Sequence, residues 1–237
     1  GRRKTEGTSL SNRGIRMKLF NYVFYALFTA LSISANATVI DTTAPLESSW
    51  YPFGEDNTAT YGQTFTITGD NILNSFSLYL TAPAANPVDF RGYLYEWNGS
   101  RATGASLFTS ADQQFTGSPS DTPTEFSFST GGITLEVGKT YVAFLSASGL
   151  FDGIQSTVNM PYSGTFGTDA LTGGTFVYYI NGNDFSLLTT STWDKTYGVD
   201  DVWFKASLSS SKVPEPATLA LFGLGFAGIA FSRRNKA

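Results

Sequence analysis

Sorted by apolar and polar positions, the chain has one long apolar run near each end and a middle of short, alternating segments. In the middle, Thr38–Phe53 reads as an entry strand and loop that closes on the aromatic cluster Trp50-Tyr51-Pro52-Phe53. Tyr61–Thr68 is a β-type run halted by the turn residues Gly69-Asp70-Asn71. Ser75–Leu80 places Phe76, Leu78 and Leu80 on one face by the two-residue period of a strand. A Pro- and Ala-rich loop, Thr81–Pro87, leads to a strand at Val88–Trp97, which ends on the tight-turn pair Asn98-Gly99. Leu107–Ser110, Glu125–Ser129 and Ile133–Val137 follow, and the turn Gly138-Lys139 opens the most apolar strand, Thr140–Ala147. Thr175–Ile180 stops at Asn181-Gly182, and Val202–Leu208 comes last. Gly149–Gly174 has the weakest pattern and reads as one long loop, and no amphipathic helix stands between the strands. Roughly nine or ten short strands with turns between them predict an all-β fold: an antiparallel β-sandwich, jelly-roll-like, over residues 38–208.

The flanks carry different signals. Residues 1–16 are polar, basic and aperiodic, and read as a disordered or mis-annotated extension ahead of Met17. Lys18, the apolar run Leu19–Ile33 and the small-residue site Ala35-Asn36-Ala37 form the three parts of a secretory signal peptide over residues 17–37, a signal helix with cleavage expected after Ala37. At the other end, residues 209–216 form a linker that contains Val213-Pro214-Glu215-Pro216, where two prolines interrupt regular structure. Residues 217–237 then give an uncharged run, Ala217–Phe231, followed by Arg233-Arg234-Asn235-Lys236. At ~1.5 Å per residue such a helix reaches roughly 22 Å, short of the ~30 Å hydrocarbon core, so it is expected to be a short transmembrane helix. Its basic end belongs on the cytoplasmic side, which leaves the middle facing outward.

Together these C-terminal residues resemble the PEP-CTERM sorting signal of Gram-negative, polysaccharide-producing bacteria. The matching features are Val213, Pro214, Glu215 and Pro216, the short helix with Gly223, Gly225 and Gly228, and the basic end at Arg233 and Arg234. The resemblance implies that an exosortase processes the chain near Pro214-Glu215-Pro216. The chain would then be anchored in the inner membrane only transiently, before release to the cell surface or the extracellular polysaccharide.

Charge narrows the partners. Between Thr38 and Lys212 there are 17 acidic and 6 basic residues, a net of 6 − 17 = −11, whereas the whole chain sums to −4. So acidic a middle repels phosphate backbones, so no nucleic-acid partner is expected. The chain has no Cys and no His, which removes disulfides, thiol nucleophiles, imidazole-ligated metals and every His-dependent triad.

Three kinds of chemistry stay open for the middle. Tyr93, Tyr95 and Trp97 share one face of a strand, and with Trp203 and Tyr179 on other strands they offer a flat aromatic platform for sugar rings; packed inward, the same rings are core, since Phe90, Gly92 and Leu94 occupy the opposite face. Hard oxygen ligands at Asp41, Glu55, Asp56, Asp169, Asn183, Asp184, Asp200 and Asp201 suit calcium, with Asp200-Asp201 the first candidate, although no run has EF-hand spacing. Glu96 and Glu125 lie on or beside strands and are the carboxylates a glycoside hydrolase would need, yet nothing sets them at a catalytic separation. The expectation is a non-catalytic, adhesive or polysaccharide-associated protein that needs no cofactor, a structural calcium being the alternative.

Overall fold

The protein is described from a computed structural model covering residues 37–55, 57–118, 122–163, 169–195 and 200–210. The chain divides into two compact units, Gly1–Asn36 and Ala37–Ala237, and every described residue belongs to the second. The signal segment through Ala35, the Val213–Pro216 motif, the run Ala217–Phe231 and Arg233-Arg234 lie outside the described residues; Ala37 is the first described. Among the described residues, no helix is long and apolar enough to cross a membrane.

The described residues form twelve strands and one helical turn: β1 (Thr38–Asp41), β2 (Leu46–Gly54), β3 (Thr60–Thr66), β4 (Ile72–Leu80), β5 (Pro83–Trp97), β6 (Ala102–Thr109), β7 (Gln113–Gly117), β8 (Thr124–Thr134), β9 (Thr140–Ser146), β10 (Thr157–Ser163), β11 (Thr175–Tyr179), α1 (Leu187–Thr190) and β12 (Phe204–Ser209). One sheet has the order β1-β12-β4-β8. The second runs β11-β3-β9-β5-β6, with β7 paired to the first half of β5, and β2 and β10 form a separate ribbon. All these strand pairings are antiparallel.

The two sheets pack face to face because the alternation in each leaves one side apolar. Phe65 of β3 meets Phe204 of β12 at 5.3 Å between ring centroids, Phe90 of β5 meets Phe126 of β8 at 4.9 Å, and Phe76 of β4 meets Phe108 of β6 at 5.6 Å. Each such pair adds about 0.5–1.5 kcal/mol beyond the area it buries. Gly92 sits on the inner face of β5 because a Cβ there would lie 2.6 Å from the Phe128 ring of the other sheet. Of the turn glycines predicted from sequence, Gly99, Gly138 and Gly182 have positive φ, whereas Gly69 does not.

The structure departs from the sequence reading in several places: β7 was not expected at all, and the entry segment Thr38–Phe53 holds two strands, β1 and β2. The expected long loop Gly149–Gly174 contains β10, whose Val158 and Met160 are buried against β2. The expected loop Thr81–Pro87 largely belongs to β5. Glu125–Ser129 and Ile133–Val137 are not two strands: β8 runs from Thr124 to Thr134, passing through Gly131 and Gly132 at positive φ. Finally, the stretch between β11 and β12 is not bare loop but holds α1.

Candidate functional site

Tyr93, Tyr95 and Trp97 do share one face of β5, as the strand period requires. That face is covered. They are 5%, 7% and 7% exposed beneath the segment 181–195, which lays Phe185, Leu188 and Trp193 across them. Trp193 stands edge-on to Trp97 at 5.4 Å and to Phe144 at 5.2 Å, and its indole N–H donates to the Leu188 carbonyl at 2.8 Å. Tyr93 packs against Phe185 at 4.8 Å. These three rings therefore form a second apolar core rather than an open platform, because a stacking platform needs a face that a sugar can reach. Tyr179 borders the same cluster.

Trp203 is placed differently. It precedes β12 on the outer face of the four-stranded sheet, half-buried, edge-on to Tyr79 at 5.5 Å. Tyr79 is 6% exposed although it points away from the sandwich core. The Lys205 ammonium stands over the Tyr79 ring, 5.8 Å from its centroid, and 3.7 Å from the Asp41 carboxylate. Glu125 of β8 is the cross-strand partner of Tyr79. Burial pushes the Tyr79 phenol above its ordinary value, with the Lys205 ammonium pulling the other way. Sequence reasoning singled out Trp203 but missed Tyr79. The available signal was the alternation of β4, which sends Phe76, Leu78 and Leu80 inward and Ser75, Ser77 and Tyr79 outward.

Asp56 lies outside the described residues; the other carboxylates proposed for calcium and for hydrolysis are not gathered into a site. Asp201 has no exposed surface, and its oxygens accept hydrogen bonds from the Gln63 side-chain amide at 2.6 Å and from the backbone N–H groups of Ala170 and Leu171 at 2.8 and 2.9 Å. It works as a clasp that pins residues 170 and 171 to the crossing between the sheets. Burial pushes its carboxyl above the usual range, against the pull of those three donors. The Asp200 carbonyl accepts from Phe176 N–H, which ties the same crossing to β11. Among the described residues, no group of three or more carboxylates is placed to hold a metal ion. Glu96 is on β5 and pairs with Lys139 at 3.2 Å, whereas Glu125 is exposed on β8 in the other sheet, so the two do not face a common substrate.

Comparison with known proteins adds one clear feature. The fold is similar to the cysteine protease and lectin-like domains of Cwp84, a surface layer associated protein of Clostridium difficile, with a TM-score of 0.45 and 10% identity over 75% of this chain and 37% of that one. A second structure of that clostridial protease, after propeptide cleavage, gives a TM-score of 0.43 and 10% identity over 74% of this chain and 40% of that one. This chain thus spans well under half the length of either. No curated protein sequence matches it. Residues 212–234, which hold Pro214-Glu215-Pro216, the apolar run and both arginines, match the PEP-CTERM protein-sorting motif. The chain carries a PEP-CTERM protein-sorting motif directly behind an antiparallel all-β body.

Proposed function

We propose that this chain is a cell-surface or extracellular-matrix protein, exported by its signal segment, held briefly in the inner membrane and released by an exosortase acting near Pro214-Glu215-Pro216. The observation that carries the reading is the sorting motif at residues 212–234 and its place against the fold. β12 ends at Ser209, so only Ser210, Ser211, Lys212 and Val213 separate the last strand from Pro214. At the other end, β1 begins at Thr38, the residue that follows Ala37. A cut at either place spares every strand among the described residues, so processing leaves those strands together. The body, a jelly-roll-like sandwich, then serves an adhesive or polysaccharide-associated role. Its acidity supports solubility outside the cell and disfavours nucleic acid. The separation of Glu96 from Glu125 supports a role without catalysis, and this reading requires no cofactor.

Intact-mass spectrometry of the protein from its native cells tests the reading. Termini at Thr38 and close to Pro214 are expected. A surface-exposed protein that still carries its apolar tail contradicts it.

A further inference from the structure

We propose that Asn98 is a self-modification site, converted by water to aspartate or isoaspartate, whereas the identical pair Asn181-Gly182 is kept intact by the fold. The chemistry needs only the chain and water, so it is independent of the sorting reading above. Asn98 and Asn181 are the two asparagines of the chain that are followed by glycine. Glycine leaves its own backbone nitrogen unhindered, because it carries no Cβ. That nitrogen can close a succinimide ring on the asparagine Cγ before it.

The two pairs have different surroundings. Asn98 and Gly99 are both exposed, in the turn that joins β5 to β6. The Asn98 side-chain carbonyl accepts three hydrogen bonds, from the Ser100 N–H, the Ser100 hydroxyl and the Arg101 N–H, each at 3.0 Å. Among the described residues its NH₂ group has no partner, so the leaving group is open to water. Three donors draw charge from Cγ and lie where negative charge collects on Oδ1 during attack, as in a site that stabilises a tetrahedral oxyanion. Asn181 is 4% exposed. Its carbonyl accepts from the Thr60 hydroxyl at 2.9 Å, and its NH₂ donates to the Asp184 carbonyl at 3.1 Å. Thr60 is in turn paired with Ser146 at 2.7 Å. Both ends of that amide are engaged, and burial keeps out the water that must carry the protons.

The steps balance with water alone. Hydroxide takes the Gly99 amide proton, and the nitrogen forms a bond to Cγ. Nδ2 then takes a proton from water and leaves as ammonia with the electron pair of the Cγ–Nδ2 bond, which completes the succinimide. Water adds to one of the two ring carbonyls and breaks its bond to nitrogen. Opening at Cγ leaves aspartate; opening at the backbone carbonyl leaves isoaspartate, with the main chain rerouted through the side chain. Either product adds a carboxylate to the turn. Isoaspartate also lengthens the main chain by a methylene next to Trp97, and the nearby Ser100 carbonyl holds the Trp193 N–H at 2.9 Å. A change at Asn98 therefore reaches the cover over the second core, where Trp193 meets Trp97.

The test is incubation of the full chain in zwitterionic detergent at pH 7.5 and 37 °C, with peptide mapping by mass spectrometry at intervals over weeks. Trypsin releases Asn98 in the peptide Gly92–Arg101. Asn98 should undergo the amide-to-acid mass change about tenfold or more faster than Asn181. In concentrated urea the two pairs should convert at similar rates, because only the fold distinguishes them. Ser100→Ala removes one of the three donors and should slow Asn98 several-fold in the folded chain; Ser100→Thr keeps the hydroxyl and should restore the rate. No conversion at Asn98, equal rates at Asn98 and Asn181 in the folded chain, a difference that survives in urea, or an unchanged rate in Ser100→Ala overturns the proposal. The comparison of Asn98 with Asn181 uses unaltered protein, so it decides even where a variant fails to fold.

Discussion

At the scale of single residues, burial alone decides little until the partners of a group are counted. Asp201 is a carboxylate with no exposed surface, and every neighbour that touches its oxygens is a donor. The Gln63 amide cannot turn over to suit a different partner, because its carbonyl accepts the Val202 N–H at 3.0 Å while its NH₂ also donates to the Thr64 carbonyl at 3.2 Å. Asparagine at position 201 would match the shape but bring an NH₂ group against one of these donors. Asp201→Asn should therefore cost about 2–4 kcal/mol, close to the penalty for breaking a buried charge-assisted network. Urea unfolding at pH 7 reads this directly, and an unchanged midpoint would show that residues 170 and 171 do not depend on the clasp. In sequence, Asp200-Asp201 looked like an ion site because residue type tells what an oxygen can bind but not what already occupies it.

At the scale of elements, the second core shows where alternation stops being informative. β5 is apolar on both sides, with Phe90 and Leu94 toward the sandwich and Tyr93, Tyr95 and Trp97 away from it. A two-residue period separates the faces without saying which is open. The cover is too short and irregular to announce itself: Phe185, Leu188 and Trp193 are spread along a stretch that holds only the four-residue α1. Trp193 anchors that cover through Trp97, Phe144 and the Ser100 carbonyl, which accepts its backbone N–H at 2.9 Å. Trp193→Ala should cost about 3–5 kcal/mol and open the face it covers. Acrylamide should then quench the remaining tryptophans more strongly, as Trp97 gains solvent. Equal quenching would mean that the cover holds without its anchor. Other elements escaped for related reasons. β10 contains Asn159 and Pro161, which read as loop, and its strand character comes from pairing with β2 about a hundred residues earlier. β7 buries a single apolar side chain, Phe115, so it shows no alternation at all. The strands that were legible, β3, β4, β9, β11, β12 and the second half of β5, carry an apolar face or run and mostly stand beside marked turns.

At the scale of the whole molecule, if the tail is held in the membrane as proposed, the register decides which end of the body faces the bilayer. Thr38 pairs with Leu208, so the first and last strands begin and end side by side. Ile72 pairs with Ser209 and with Thr134, and Leu135 N–H donates to the Asn71 carbonyl, which puts the turn between β8 and β9 at that same pole. β9 then runs away from it, and Ile154 lies in the connection beyond its far end. Seven residues of β9 at ~3.4 Å each separate the two poles by roughly 20 Å or more. The linker 210–216, even fully extended, spans no more than about 25 Å, so a body anchored by the proposed tail would stand close to the bilayer before release. Val137 and Ile154 are similarly open in the body, 59% and 52% exposed, and the chain has no cysteine of its own. In cells lacking the sorting enzyme, Val137→Cys should react with a bulky polyethylene glycol maleimide several-fold more slowly than Ile154→Cys, because the membrane shields the pole where both ends emerge. In released protein the two rates should converge, since only tethering distinguishes the positions. Equal rates in the anchored form would show that the body does not hang from the pole that holds its ends.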